Sequence, residues 1–213
     1  MDILIIAAHP DDEVLGMGGT IKKLSKKNKI HLCVVTEGAS AQYTNKDMIK
    51  KRKESCIKAG KILGISTFDF LEFEDMKLDS IPSLELKQEL EKIIKKHKPT
   101  SVYTTPKNDL HKDHQIVFES TSIASRPHSN TVKNLFSYEI PGIVKNPFTP
   151  TVYEDISKEI SYKIKAFNCY KSEIEKFPHP RSIESIESLS LQRGIESDLK
   201  KAESFELIRS IRN

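Results

Sequence analysis

Two short stretches concentrate the side chains able to do chemistry. The first, His9-Pro10-Asp11-Asp12-Glu13, follows directly on the apolar run Ile3-Leu4-Ile5-Ile6-Ala7-Ala8. Three consecutive carboxylates repel one another, so placing them together costs free energy unless a cation or hydrogen-bond donors offset it. His9 and Asp12 are three residues apart, a separation at which a chain turning into a helix aims both side chains at one centre. The second stretch, Pro106-Lys107-Asn108-Asp109-Leu110-His111-Lys112-Asp113-His114, repeats that spacing with His111 and His114. Imidazole and carboxylate together suit zinc or another late divalent metal. Taken alone, His9 is equally well read as a surface turn residue, and a helix N-cap is a lesser reading of Asp11. The combination of His9, Asp12, His111 and His114 is far sharper and points to a metal centre.

The elements that must position these clusters alternate. Strand-like runs cover residues 3–8, 30–36, 67–71 and 100–105. Between and after them, helical patterns run from Val14 to Lys27, Ile49 to Leu63, Leu84 to Lys96 and about Lys112 to Ser125. This order predicts an α/β fold, Rossmann-like, with a mostly parallel sheet and helices on both faces. In such sheets ligands bind at the carboxyl ends of the strands, and both clusters follow strand ends. The C-terminal half is less regular: strands are expected at 135–140 and 149–154, a helix over Ser157 to Glu175, a stiff linker at Phe177-Pro178-His179-Pro180-Arg181, a further helix through Ile183, Ile186 and Leu189, and a last segment over Lys200 to Ile211. No repeat or linker divides the chain, so residues 1–213 read as a single domain.

Composition narrows the function classes. The formal charge is +4, and the lysine clusters at 22–29, 50–53 and 95–98 fall at helical spacing among Ile and Leu, as solvated helix faces do. No aromatics interleave with them, which argues against a nucleic-acid partner, and no apolar run is long enough for a membrane span. Cys33, Cys56 and Cys169 are scattered and form no C-x-x-C; with an N-terminus lacking a basic leader, they favour a reducing, cytoplasmic setting. Gly16-Met17-Gly18-Gly19 has neither the dinucleotide spacing nor a Gly-Lys-Ser/Thr ending, so tight helix packing explains it better than a nucleotide site. His31, His97 and His128 are expected in structural or surface roles, and His179 is a weaker candidate for a place beside the site. A homo-oligomer is left open.

Ala7 and His9 through Glu13, followed by Leu15-Gly16 and Gly18-Gly19, resemble the opening motif of the LmbE-like or PIG-L family of N-deacetylases, and His111-Lys112-Asp113-His114 resembles its H-x-D-H element. Similarity continues at Arg52-Lys53-Glu54, Leu63-Gly64, Asp155-Ile156-Ser157, Ala166 and Lys171-Ser172. The tail, with His179-Pro180-Arg181-Ser182, Arg193-Gly194 and Ala202-Glu203-Ser204-Phe205, is similar to the bacterial branch that includes bacillithiol and mycothiol pathway deacetylases. The resemblance implies a zinc-dependent hydrolase (Fe2+ being an alternative metal) that removes acetyl from the nitrogen of an N-acetylglucosamine-like sugar conjugate. It implies His9, Asp12 and His114 as metal ligands, Asp11 as general base toward metal-bound water, His111 as the group polarising or protonating the amide, Asp113 as the residue orienting His111, and Arg52 as a sugar contact.

The chain also departs from the family pattern. It carries Glu37 before Gly38 where many members have Asp or Asn, Cys169-Tyr170-Lys171-Ser172-Glu173 where an Arg-x-His-x-Ser-Gln stretch is common, and Ser197-Asp198 where relatives often have Val-Gly. None of these removes an expected ligand. Arg52, Arg181 and Arg193 are candidates for recognising a phosphate, a carboxylate or a dense hydroxyl array, and loops at Ala39–Asn45 and Arg126–Asn134 for the pocket rim. The alternatives are an amidase for another acyl group or a non-sugar amine, and a noncatalytic metal- or sugar-binding domain.

Overall fold

The first strand explains the architecture. Along β1 (Asp2–Ala7), Ile3, Ile5 and Ala7 point into one apolar core and Leu4 and Ile6 into another. A strand covered on both faces belongs in the middle of a sheet. The structure, a computed structural model, describes residues 1–43, 47–128, 130–142 and 146–212. Its elements run β1, α1 (Asp12–Leu24), β2 (Lys29–Thr36), α2 (Asp47–Leu63), β3 (Thr67–Phe73), a 3-10 turn at Leu78–Ser80, α3 (Ser83–His97), β4 (Ser101–Thr104), α4 (Lys112–Ala124), β5 (Asn134–Tyr138), β6 (Val152–Asp155), α5 (Ile160–Phe167), α6 (Ile183–Glu196) and β7 (Ala202–Ser210).

The seven strands form one sheet in the order β3-β2-β1-β4-β5-β7-β6. The first five are parallel, with Ile5 of β1 in register with Leu32 of β2 and Tyr103 of β4. Strand β7 runs antiparallel to both β5 and β6. One core packs α1, α2, α5 and α6 against the sheet, through Leu15, Leu63, Phe167 and Ile186. The other packs α3 and α4, through Leu90 and Val117. The expected α/β, Rossmann-like arrangement with helices on both faces is therefore the observed one. Strand order reverses at β1, which pairs with β2 on one side and β4 on the other, and a crevice opens at the carboxyl ends there. His9 follows β1 and the His111–His114 stretch follows β4, so topology alone brings the two clusters together.

Two devices fix the helix that carries the first cluster. Adding a Cβ at Gly16 would place it 2.4 Å from the Tyr138 ring, and at Gly19 2.7 Å from Ile156. Close packing is thus the use of this glycine run. Met17 interrupts the helical dihedrals, and two residues later the backbone N–H groups of Gly19 and Thr20 donate to the Glu203 carboxylate of β7 at 3.0 and 2.7 Å. The buried Lys163 ammonium completes that carboxylate's shell at 2.7 Å.

The helix expected over Ser157–Glu175 is shorter, Ile160–Phe167. The apolar period does continue through Tyr170 and Ile174, but tertiary contacts override it. The Tyr170 hydroxyl reaches back to donate to Glu13 at 2.6 Å, and Glu173 turns toward two arginines. The last segment, left without a type by its sequence, is β7. No helix among the described residues is long and apolar enough to cross a membrane.

Candidate metal centre

Strand β1 delivers His9 to the carboxyl edge, and the chain turns at once into α1. The His9 backbone N–H donates to Asp12 Oδ2 at 2.8 Å, closing that turn. Asp11, between them, has φ 132°, a conformation rare outside glycine and costly enough to need support. Glu13 supplies it by accepting the Asp11 N–H at 3.1 Å. Burial pushes the Glu13 carboxyl up to about 7, against the bond from Tyr170. Asp11 makes no side-chain capping bond, so helix capping does not account for it.

Three donor atoms converge from the two clusters. His9 Nδ1, His114 Nε2 and Asp12 Oδ2 form a triangle with edges of 3.2, 3.4 and 3.5 Å. Ligands about 2.1 Å from a tetrahedral zinc ion lie about 3.4 Å apart, so the triangle fits such an ion. Ligand-capable atoms also gather as His9, His111 and His114, and as His9, Asp75 and Asp113. The triangle is the better-shaped set because it faces one point and leaves the outer histidine nitrogens to carboxylates. His114 Nδ1 meets Asp109 Oδ2 at 2.7 Å, and His9 Nε2 meets Asp75 Oδ1 at 3.2 Å and Asp113 Oδ2 at 3.3 Å. Carboxylates behind histidines fix ring orientation and raise ligand basicity.

The electrostatics favour positive charge at this spot. Burial works against charged His9 and His114 rings, but the carboxylates outweigh it: Asp113, Asp12 and Asp75 raise His9 well above its usual range, and Asp12 and Asp109 bring His114 to about 9. Asp12 is itself held well below the usual carboxylate range by His114 and His9, despite burial. His111 moves the other way, to about 4, through burial and the neighbouring His9 and His114 charges. Its ring lies 4.4 Å from that of His9, and its Nδ1 is buried without a hydrogen-bond partner.

Asp113 stands differently from expectation. Its oxygens accept from the Met76 and Leu78 backbone N–H groups at 2.9 and 3.3 Å and lie at His9 Nε2. Among the described residues no hydrogen bond joins it to His111. Its bonds therefore position His9 and the turn after β3. The residue that organises the His111 segment is Asp109, whose Oδ1 accepts the His111 N–H at 2.8 Å while Oδ2 takes the His114 ring.

Asp11 completes the centre. It is wholly buried, and neither carboxylate oxygen has a hydrogen-bond partner. Burial raises its pKa, while Arg181 and Arg52 pull the other way. Both guanidinium groups approach one Asp11 oxygen, at 3.6 Å from Arg52 and 3.7 Å from Arg181. Arg52 also donates to the Pro10 carbonyl at 2.9 Å and pairs with Glu173, which Arg181 meets at 2.6 Å. A cavity of about 230 Å³ opens over this cluster, lined by His9, Gly38, Ala41, Gln42, Arg52, Asp75, Met76, His111, Glu173 and Arg181.

Of the expected rim, Ala41 and Gln42 line this cavity. Residues 44 and 45 lie outside the described set, as does residue 129 of the second loop, and the described part of 126–134 contributes no lining residue. Arg193 is turned elsewhere, paired with Glu139 at 2.5 Å and Glu196 at 2.7 Å. His179 is exposed and accepts the Arg181 N–H at 3.1 Å, shaping the loop without facing the cavity. Sequence reasoning missed Asp75, Asp109 and Glu173. Asp109 stood in the second cluster and carried a signal; Asp75 and Glu173 are brought in only by tertiary folding.

A mostly parallel α/β sheet carrying a buried His/Asp cluster at its switch point is consistent with the active site of a metal-binding deacetylase. The GlcNAc-PI de-N-acetylase (PIG-L) family matches residues 4–125, and the chain belongs to this family. It is 33% identical to an uncharacterized deacetylase of Escherichia coli, over 80% of this chain and 90% of that protein. It is 24% identical to the diacetylchitobiose deacetylase of Thermococcus kodakarensis, over 98% of this chain and 84% of that one. The crystal structure of a 4-carboxy-2-hydroxymuconate hydratase from Pseudomonas putida superposes with a TM-score of 0.81 at 19% identity, covering 100% of this chain and 98% of that chain. The fold is thus shared by proteins of different chemistry, and the reaction must be argued from the site.

Proposed function

We propose that residues 1–213 act as one metal-dependent N-deacetylase domain that cleaves the acetamide of an N-acetylglucosamine-like sugar conjugate. The observation that carries this reading is the His9–Asp12–His114 triangle next to a buried Asp11 carboxylate that accepts no hydrogen bond, with His9, Arg52 and Arg181 of the same cluster lining a cavity. In this reading His9, Asp12 and His114 hold zinc, or a similar divalent ion such as Fe2+. The ion supplies Lewis acidity, lowering the pKa of water to about 7 and stabilising negative charge on an acyl oxygen.

Asp11 is the general base. Its oxygens accept no hydrogen bond and are available to take a proton from the attacking water. Arg52 and Arg181 oppose the burial that raises its pKa, favouring the ionised form this step requires. Water's oxygen adds to the acyl carbon, the C–N bond breaks, and a proton passes to the departing nitrogen, giving acetate and a free amine. His111, on the cavity wall, is the group that hydrogen-bonds the developing oxyanion or protonates the nitrogen. Asp113 serves through His9, and Arg52 borders the sugar. The sugar assignment is supported by the similarity to a diacetylchitobiose deacetylase.

The test is an assay of the zinc-loaded protein on N-acetylglucosamine conjugates, following acetate and free amine together. Equal release of both is expected. Release of a different acid from other amides would make it a different amidase, and ligand binding without turnover at full metal load would make it a binding domain.

A further inference from the structure

Arginines in a ligand cavity ordinarily invite anions, because the guanidinium fork matches phosphate and carboxylate. Here one Nη of each guanidinium is already bound to a carboxylate from within the chain. Glu173 takes one N–H of each, with Oε1 on Arg52 Nη1 and Oε2 on Arg181 Nη1 at 2.6 Å. The other Nη atom of each points to the same Asp11 oxygen, and Arg52 also serves the Pro10 carbonyl. The Glu173 side chain is 2% exposed and takes a further bond from the Ser172 hydroxyl at 2.9 Å. Two cations and two anions therefore cancel along one wall, and Asp75 adds a carboxylate across the same cavity. An entering phosphate would meet the Glu173 and Asp11 carboxylates beside the same two guanidinium groups and would compete with Glu173 for Nη1 of each, an unfavourable exchange. A ligand with only hydroxyls leaves the balance intact.

We infer that Glu173 is a specificity-determining residue: by neutralising the Arg52–Arg181 pair it tunes the site to an uncharged N-acyl sugar and against one bearing phosphate or carboxylate, an inference that rests on the N-deacetylase reading above. Glu173→Gln keeps the shape and one acceptor but removes the charge, leaving two cations against Asp11.

The experiment compares kcat/KM of the zinc-loaded wild type, E173Q and E173D on N-acetylglucosamine and on N-acetylglucosamine 6-phosphate, with calorimetric titration of inorganic phosphate alongside. Wild type is expected to favour the neutral sugar, and E173Q to shift the ratio toward the phosphorylated one by about tenfold, with phosphate binding tightened similarly. E173D, which keeps the charge, should hold the ratio near its wild-type value whatever it does to the absolute rates. A general structural role for Glu173 would lower both rates together and leave the ratio alone. An unchanged ratio with unchanged phosphate affinity overturns the inference, as does a wild-type preference for the phosphorylated sugar. Should E173Q not fold, Arg181→Gln must move phosphate affinity the opposite way, and no change there overturns it equally. If no variant cleaves either amide, the deacetylase reading falls while the phosphate titration still decides the role of Glu173.

Discussion

Among the described residues, a histidine pair stands at the amino edge of the sheet and another at the carboxyl edge, and they do opposite things. At the amino edge His31 and His97 stack with centroids 4.0 Å apart. His31 meets the Thr67 hydroxyl at 2.7 Å and Asp2 at 3.0 Å, and His97 meets Asp69 at 2.6 Å. Neither His31 nitrogen is left over for a ligand. At the carboxyl edge His9 and His114 each turn one nitrogen to a carboxylate and the other toward a shared point with Asp12. Both pairs are histidines among aspartates; only convergence of lone pairs separates a metal centre from a satisfied structural cluster.

The sharpest way to break this comparison is to remove one converging donor. His114→Ala is expected to lose bound zinc and at least about a hundredfold in deacetylation rate, whereas His97→Gln should keep both. Elemental analysis after dialysis, with rates on the same samples, would show it; full zinc occupancy in His114→Ala would remove that residue from the ligand set. Asp11→Asn should keep the metal and lower kcat by about 100-fold, the scale of lost acid–base help. Behind the ligands, Asp109→Asn should weaken zinc binding by about 10- to 100-fold, read by competition with a chelating dye.

The smallest effect lies at the other edge. Burial lowers the His31 pKa from its ordinary value, with Asp2 opposing. The unfolded chain then takes up a proton near pH 6.5 before the folded protein does. His31's contribution to stability is thus full above about pH 6.5 and declines as pH falls through the lower folded value. Urea midpoints measured at pH 7.5 and 5.5 should fall less in His31→Gln than in wild type, and equal falls would contradict the assignment.

Much of the carboxyl-edge site is legible in sequence because its information is local. His9 with Asp12, and His111 with His114, each share one turn, and each turn follows an apolar run that declares itself a strand. The parallel half of the sheet is readable for the same reason. What escaped is long-range. Glu173 finds Arg52 across the fold, and Asp75 reaches His9 from the turn after β3. The helix written in the period from Ser157 to Glu175 yields to the pull of Glu13 on Tyr170. Asp113 sits beside His111 in sequence yet bonds His9, since helix geometry sends neighbouring side chains in different directions.

Strand β7 slots between β5 and β6, and from it Glu203 grips the backbone of α1. During synthesis, then, β6 emerges long before the partner it needs, and the ligand-bearing helix waits for its anchor. A message cut short ahead of Ala202 would encode all of His9, Asp12 and His114, but not the Glu203 brace that holds the α1 backbone.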